Sequence, residues 1–456
     1  MNKLSTNTLK EKLSSVPRGG WIRAAVWGLL YVLFVLWVAW GDWASLGWLA
    51  LLPLVLDAFT TKFIPWSWWR KYKDTKPMLY VLYSWVDAIV FALVAVYFIN
   101  LYFFQNYQIP SSSLEKSLRV GDFLFVSKMS YGARVPNTPL SMPLVQHTFP
   151  ASLGGGKSYI DRPQWAYKRL RGWDQPKKGD IVVFNFPAGD TVCSKVPNPD
   201  YYTLCYYYGK QQVLQHKEAF GDILVRPVDR RENYVKRCVG EPGDSLKVVN
   251  NVVYTRTSTT DWQQEPSRPG VQLNYLVQTD GYVFSDRYLT KLGINRDDRQ
   301  RVGDCVWHFP LTEAMRLELS ANPHVVQMEV ESPEAAGAVY PLGYNDWSRD
   351  NYGPIYLPRK GETLQITEDN YHIYKRIAWA YEHQPIAVNQ PYTFQMDYFW
   401  MMGDNRHNSA DSRAWGFVPE DHIVGRPVFI WLSLEKDMPW FGGRIRWNRL
   451  GKPAAK

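Results

Sequence analysis

The first hundred residues hold nearly all the long apolar runs of this 456-residue chain, and that asymmetry constrains the fold before any motif is read. Apolar residues run from Ala24 to Trp40, from Leu46 to Phe59 after the small turn Gly41-Asp42, and from about Leu79 to Phe104. The first two runs are close to the lower length limit for crossing a bilayer, and the last is longer. They predict a tight helical hairpin and then a longer span, about three transmembrane helices at roughly 24–40, 44–60 and 79–104. Lys3, Lys10, Lys12, Arg18 and Arg23 precede the first run, and Lys62, Arg70, Lys71, Lys73 and Lys76 precede the last. Basic flanks stay on the cytoplasmic side, so everything after Gln105 is expected on the outer face. The first run is Trp-rich and no small-x-small site follows it, so it reads as a retained anchor. Asp87, within the last run, is expected to pack against the hairpin or to pair with the basic flank.

Beyond the anchor the pattern changes to short β stretches between turns, among them Phe123–Ser127, Asp180–Phe184, Asn233–Lys236 and Ser245–Val249. These predict antiparallel sheets, a mainly β fold. The expected organisation is a basic N-terminus over 1–23, a membrane region over 24–104 with a basic loop at 61–78, a β core over 105–250 and 396–435, an inserted second unit over 251–395, and a basic tail over 436–456. The formal charge of +9 does not point to nucleic acid, because the basic residues are scattered or flank the apolar runs, and no recognition motif accompanies them. Four cysteines are too few for a disulfide scaffold and lack zinc spacing. Cys193 and Cys205 are either joined across one Tyr/Pro-rich loop or free, and Cys238 is given no chemistry.

Ser113 closes the run Ile109-Pro110-Ser111-Ser112-Ser113 just after the anchor and before Leu118-Arg119-Val120-Gly121-Asp122. A hydroxyl needs a base within hydrogen-bond reach. Histidine fits badly: of the eight, only His407 lies in a strong motif, and it reads as a solvated loop residue. A lysine can serve if burial lowers its pKa from about 10.4 towards the working pH. Lys236, on the alternating stretch Tyr234-Val235-Lys236 and followed by the Pro242-Gly243-Asp244 turn, is the candidate. Lys375, in the echo Tyr374-Lys375-Arg376, lacks that turn and is set aside.

With these residues in view, the chain resembles the bacterial type I signal peptidases, membrane-bound serine-lysine endopeptidases. The serine box is similar to Ile109–Leu114 through Gly121-Asp122-Phe123, a strand box to Lys178–Phe184, the lysine box to Tyr234–Asp244, and the last box to Gly403–Arg413. The resemblance implies an antiparallel β-sheet catalytic domain of signal peptidase type, with the large insert carried on it. It implies Ser113 as nucleophile, Lys236 as general base, and Ser111 with the Ser113 N–H as oxyanion hole. Ser409 would orient the lysine, Asp411 and Arg413 would form a supporting salt bridge, and Asp404, Asn405 and Arg406 would build its turn. Tyr107, Ile109, Pro110, Leu114, Leu118, Tyr234 and Val235 are the candidates to line the substrate pockets.

No metal and no cofactor is implied. The implied partners are signal peptides of exported preproteins, membrane lipid and the protein-export machinery, with a multi-pass location in the bacterial cytoplasmic membrane and the catalytic domain on the periplasmic side. The sequence departs from the commonest family pattern at Glu115-Lys116-Ser117, where Met-Pro-Thr is usual. The competing reading is an inactive or self-cleaving relative whose insert binds cell-envelope partners.

Overall fold

The structure is a computed structural model and describes residues 12–40, 42–266, 268–332, 338–436 and 438–454. Lys3 and Lys10 of the expected basic N-terminus therefore lie outside the described residues. The chain divides into two units, one of residues 1–99 with 168–172 and one of residues 100–167 with 173–456.

In the first unit, two helices among the described residues are long and apolar enough to cross a membrane, Arg18–Val38 and Pro77–Tyr102. The middle run is shorter: a 3-10 stretch, Trp43–Leu51, continues into the α-helix Leu52–Phe59. It returns along the first helix, whose buried positions include Gly20, Ala24 and Gly28, a four-residue spacing of small residues that lets two backbones approach. A Cβ on Gly28 would stand 3.0 Å from the Leu56 side chain, and one on Gly20 would stand 3.0 Å from the Phe59 carbonyl oxygen. Asp57 closes the hairpin by accepting from the Phe63 and Ile64 amides at 2.7 and 3.0 Å. Lys168, from far along the chain, pairs with Asp42 of the connecting turn at 2.6 Å. Asp87 is exposed and has no ion pair among the described residues, so the expected pairing with the basic flank is not formed.

In the second unit the strands along the chain are β1 (Phe104–Gln108), β2 (Asp122–Ser127), β3 (Ile181–Asn185), β4 (Thr191–Cys193), β5 (Ile223–Val225), β6 (Asn233–Gly240), β7 (Ser245–Val249), β8 (Val252–Arg256), β9 (Gln263–Gln264) and β10 (Gln272–Thr279). There follow β11 (Gln300–Arg301), β12 (Val306–Thr312), β13 (Val325–Val330), β14 (Tyr352–Tyr356), β15 (Thr363–Gln365), β16 (Pro391–Thr393), β17 (Tyr398–Met402), β18 (Val418–Pro419) and β19 (Ile423–Ser433). The main sheet runs β1-β2-β19-β3-β6-β17-β18, with every neighbour antiparallel.

Its central strands are covered on both faces. On β3, Ile181 and Val183 enter a core with Ile109, Leu114 and Leu118, while Val182 and Phe184 enter another with Cys238, Phe399 and Met401. This is why β3 reads as a continuous apolar run, whereas β2 alternates buried Leu124 and Val126 with outward Phe123 and Phe125.

The chain on either side of residue 251 pairs in one sheet, β14-β7-β8-β9, with the turn at Asn250-Asn251 inside a hairpin. That sheet shares a core with the main sheet, since Leu246, Val248, Val253 and Tyr352 pack with Val239, Trp400 and Met402. A third sheet, β11-β12-β10-β13, has a core of its own with Phe284, Leu289, Trp307, Phe309 and Leu319, to which the helices Asp286–Leu292 and Glu313–Ser320 contribute. Trp400 is fully buried where the first two sheets meet. Trp400→Ala should cost about 3–5 kcal/mol by loss of burial plus the cavity left behind, read as a lowered thermal unfolding midpoint of the detergent-solubilised protein.

Candidate active site

Ser113 sits in a single 3-10 turn, Ser112–Leu114, between β1 and β2. Both ends of the connection are tied: the Ile109 amide donates to Asp122 O at 2.9 Å and the Gly121 amide to Ile109 O at 3.0 Å. Leu114 and Leu118 turn inward beside Ile109, with Leu118 N–H donating to Leu114 O at 2.7 Å. The apolar spacing Ile109, Leu114, Leu118 thus anchors a turn that its serines alone would not hold. Ser113 is buried, and Ser111, in extended backbone, is exposed.

Lys236 lies in the middle of β6, opposite Val182 of β3, and is only 3% exposed. On the other side β17 pairs Met402 with Arg237, so the register carried one residue further sets Gly403 beside Lys236. Gly403 is where the site converges. A Cβ there would fall 2.2 Å from the Ser409 Oγ and 2.8 Å from the Ser113 carbonyl oxygen. No other residue fits without displacing one of these. The Gly403 amide donates to Asp411 Oδ2 at 3.1 Å and the Asn405 amide to Ser113 O at 3.1 Å.

Burial pushes the Lys236 amine down from its ordinary value to about 8; Asp411 opposes the shift, Arg413 adds to it and Asp404 opposes it. The Tyr234 ring lies 6.0 Å from its Nζ, and Lys236 has no ion-pair partner within 4 Å among the described residues. Asp411 forms a two-pronged pair with Arg413, at 2.9 Å to Nε and 2.8 Å to Nη2, with both side chains buried. Asp404 forms a second such pair, with Arg237, at 2.7 Å to both Nε and Nη2, and also accepts from Ser117 Oγ at 2.6 Å. Burial raises both carboxyls, but their arginines outweigh it and hold Asp404 and Asp411 below the usual range. Arg406 turns the other way and pairs with Glu265 at 2.9 Å.

The candidate pocket residues separate into two faces. Ile109, Leu114 and Leu118, with Tyr107 and Val235 at the margin, belong to one apolar cluster, and Pro110 beside them is exposed. Tyr234 points to the opposite face of β6, stacked 4.6 Å from Phe186 and edge-on 5.4 Å from Trp415, because neighbouring strand residues alternate. Ser409 is buried beside Gly403, but its Oγ has no hydrogen-bond partner and does not bond the lysine.

His407 is not a solvated loop residue. Its side chain is 7% exposed and bridges Asp350 and Asn251, which the turn composition around it did not reveal. Lys375 is exposed, as expected for a bystander. Cys193 and Cys205 are free thiols that share a small core with Leu204 and Val213, and Cys238 is buried with its thiol pushed well up by desolvation.

Sequence reasoning missed Arg237, Ser117 and Glu265, the partners that hold the last box. Arg237 was the legible one, since a charged residue on a strand buried on both faces must find a counter-charge. Ser117 occupies the stretch that departs from the family pattern, and its partner Asp404 lies 287 residues away.

The serine turn and the desolvated amine thus meet the same loop, through the Asn405 amide on Ser113 O and the register that sets Gly403 beside Lys236, while no hydrogen bond joins the Ser113 hydroxyl to the Lys236 amine among the described residues. The family described as signal peptidase, peptidase S26, matches residues 82–298 and 361–432, and the chain belongs to it. It is a signal peptidase, a serine endopeptidase acting on peptide bonds. The match runs through much of the section 251–395 and is interrupted only between its two stretches.

The chain is 23% identical to signal peptidase I of Buchnera aphidicola subsp. Acyrthosiphon pisum over 84% of its own length and 85% of that protein. It is 23% identical to signal peptidase I of Haemophilus influenzae over 78% of its length and 71% of that protein. Signal peptidase I of Helicobacter pylori is likewise 23% identical, over 81% of this chain and 90% of that protein.

Removing one partner of the buried Asp404–Arg237 pair leaves a charge desolvated and alone. Arg237→Ala should therefore destabilise the protein by about 3–5 kcal/mol, measured as a shift of the denaturation midpoint against the unaltered chain.

Proposed function

We propose that this signal peptidase works through Ser113 as nucleophile and Lys236 as general base, cutting signal peptides from exported preproteins on the outer face of the cytoplasmic membrane. The observation that carries the reading is the buried amine of Lys236. Held at a pKa of about 8 and free of any carboxylate, it is about one-tenth neutral at pH 7, enough to accept a proton.

In this mechanism Lys236 Nζ takes the proton from Ser113 Oγ as the oxygen bonds to the scissile carbonyl carbon. The carbonyl oxygen, now negative, accepts from the Ser113 N–H and the Ser111 hydroxyl. The ammonium of Lys236 gives its proton to the departing amine of the mature protein, and the signal peptide stays esterified to Ser113. Water, losing a proton to Lys236, then releases it as a carboxylate and restores the serine. Asp411 and Arg413, with Asp404 and Arg237, hold the loop beside the lysine, and Ser409, with its free hydroxyl, is placed to orient the amine. Tyr107 and Val235, partly exposed at the margin of the Ile109, Leu114 and Leu118 core, are the apolar surface offered to the small residues that end signal sequences.

The anchor fits a three-pass arrangement with a short middle leg. Nine residues of 3-10 helix at about 2.0 Å each and eight of α-helix at about 1.5 Å give roughly 30 Å, the thickness of the hydrocarbon core. Lipid contact is supported by an aromatic ladder on the outward face of the sheet, Phe104, Phe125 and Phe429 stacked at 4.7 and 5.0 Å, with Trp431, Trp440 and Trp447 exposed nearby in sequence. Delivery of preproteins by the export machinery follows from that location. The section 251–395 is a continuation of the catalytic core through β7, β8 and β14, and its separate part is the β11-β12-β10-β13 sheet.

Ser113→Ala and Lys236→Ala in the full chain, reconstituted in phospholipid vesicles with a preprotein, should each lower cleavage at least about 1,000-fold. Cleavage at the unaltered rate by either variant would refute the dyad. The rate should climb with pH as Lys236 loses its proton, with an apparent pKa near 8, and fall roughly tenfold per unit below it; a midpoint near 6 in the pH–rate profile would point to a different base.

A further inference from the structure

The loop that carries Ser409, Asp411 and Arg413 leaves β17 at Gly403 and has no strand partner within the main sheet; beyond the Arg237 and Ser117 contacts of Asp404 and the Asn405 contact to Ser113, what holds it comes from the section 251–395. Gln272 donates from its amide to Asp404 O at 2.8 Å and accepts from the Arg406 amide at 2.9 Å, a parallel bridge to the loop. Asn274 and Asn408 exchange side-chain amide hydrogen bonds at 3.1 and 2.9 Å. Between these contacts the His407 imidazole is buried, and its hydrogen bonds dictate its tautomer. Nδ1 accepts from the Asn274 amide N–H at 3.1 Å, with the Glu331 carboxylate further off at 3.7 Å. Nε2 faces the Asp350 carboxylate and the Asn251 side-chain oxygen, both at 3.1 Å, and must donate. One ring thus joins the start of β10, the β7–β8 turn and the segment before β14.

The backbone completes the connection. His407 O accepts from Arg349 Nη1 at 2.5 Å, and Arg349 O accepts from Arg413 Nη1 at 3.2 Å. Arg413 Nη2 reaches Arg406 O at 2.5 Å, so the arginine that pairs with Asp411 is tied to both neighbours of the imidazole contact. The same section also braces the serine turn. Lys116 Nζ donates to Gly293 O at 2.6 Å, and a Cβ on Gly270 would stand 3.1 Å from Ser117 Oγ. The departure at Glu115-Lys116-Ser117 therefore falls where this section docks.

We infer that His407 is a positioning residue for the cleavage reaction: its imidazole pins the Gly403–Arg413 loop to the strands of section 251–395 and so keeps closed the wall against which Lys236 is desolvated. The inference rests on the Ser113–Lys236 reading. It makes the long section part of the catalytic apparatus and not an appendage for partners. Loosening the loop admits water to the amine; burial is the largest cause of the lowered Lys236 pKa, so the pKa then returns towards the ordinary lysine value.

The test is preprotein cleavage by the full chain in phospholipid vesicles, with kcat and KM measured from pH 6 to pH 10. His407→Ala should lower kcat about tenfold or more with KM changed less than about twofold, and move the rising limb of the kcat profile about half a pH unit or more to higher pH. His407→Gln keeps one acceptor and one donor and should restore most of the rate and the position of the limb. Lys375→Ala, an exposed control, should match the parent. An unmoved limb in His407→Ala overturns the proposal whether the rate is kept or lost, since a lost rate with the limb in place means only fewer folded molecules. Failure of the underlying dyad is read separately: Lys236→Ala would then still cleave, and the His407 result would have no lysine to act through.

Discussion

The desolvation of one lysine organises this molecule. An ammonium buried within a sheet is costly, and with no carboxylate at contact distance to offset that cost the Lys236 amine gives up its proton more readily than an ordinary lysine. Around Lys236 the carboxylates are present but committed: Asp411 is gripped by Arg413 and Asp404 by Arg237, each through two hydrogen bonds. Their fields partly offset the penalty without forming the close ion pair that would fix the amine as a cation. The two arginine pairs therefore act on the proposed base through what they withhold. They also carry their own desolvation penalties, which their paired geometry offsets, and this makes them sensitive to the loss of either partner.

The sheet supplies the rest of the condition. β6 is covered on both faces and flanked by β3 and β17, so a side chain in its middle has no route to water along the strand. Gly403 then allows three separate pieces of chain to meet at one point: the Ser113 carbonyl, the Ser409 side chain and the strand that carries Lys236. A side chain at that position would separate the serine turn from the lysine strand, which gives the glycine of the last box a steric reason to be there.

Much of this was legible in the residues. Ser113 and Lys236 stood out because each lies in a local pattern, an apolar-spaced turn and an alternating strand, that the chain folds without distant help. The β character and the apolar first unit follow from periodicity in the same way. The length of the middle leg, however, depended on its adopting 3-10 geometry, which composition does not dictate. The placement of Tyr234 depended on strand alternation relative to a pocket whose location the sequence did not supply. His407 looked like a solvated turn residue because its partners, Asn251, Asn274 and Asp350, come from three other segments. The section 251–395 read as an insert from its own strand-like pieces; in the structure β8 and β14 within it form one sheet with β7 and share a core with β17.

The sequence by itself determined that this chain has an apolar, basic-flanked first part, a β-rich remainder, and a serine and a lysine in boxes that resemble those of one family. These are properties of neighbouring residues, set by hydropathy, periodicity and turn chemistry. Only the tertiary structure decided which charges meet: that Asp404 is held by Arg237 and Ser117, that Arg406 turns to Glu265, and that His407 ties the last box to the long section. The physical reason is that desolvation and ion pairing depend on what surrounds a group in space. The residues that bury and neutralise these groups lie tens to hundreds of positions away along the chain.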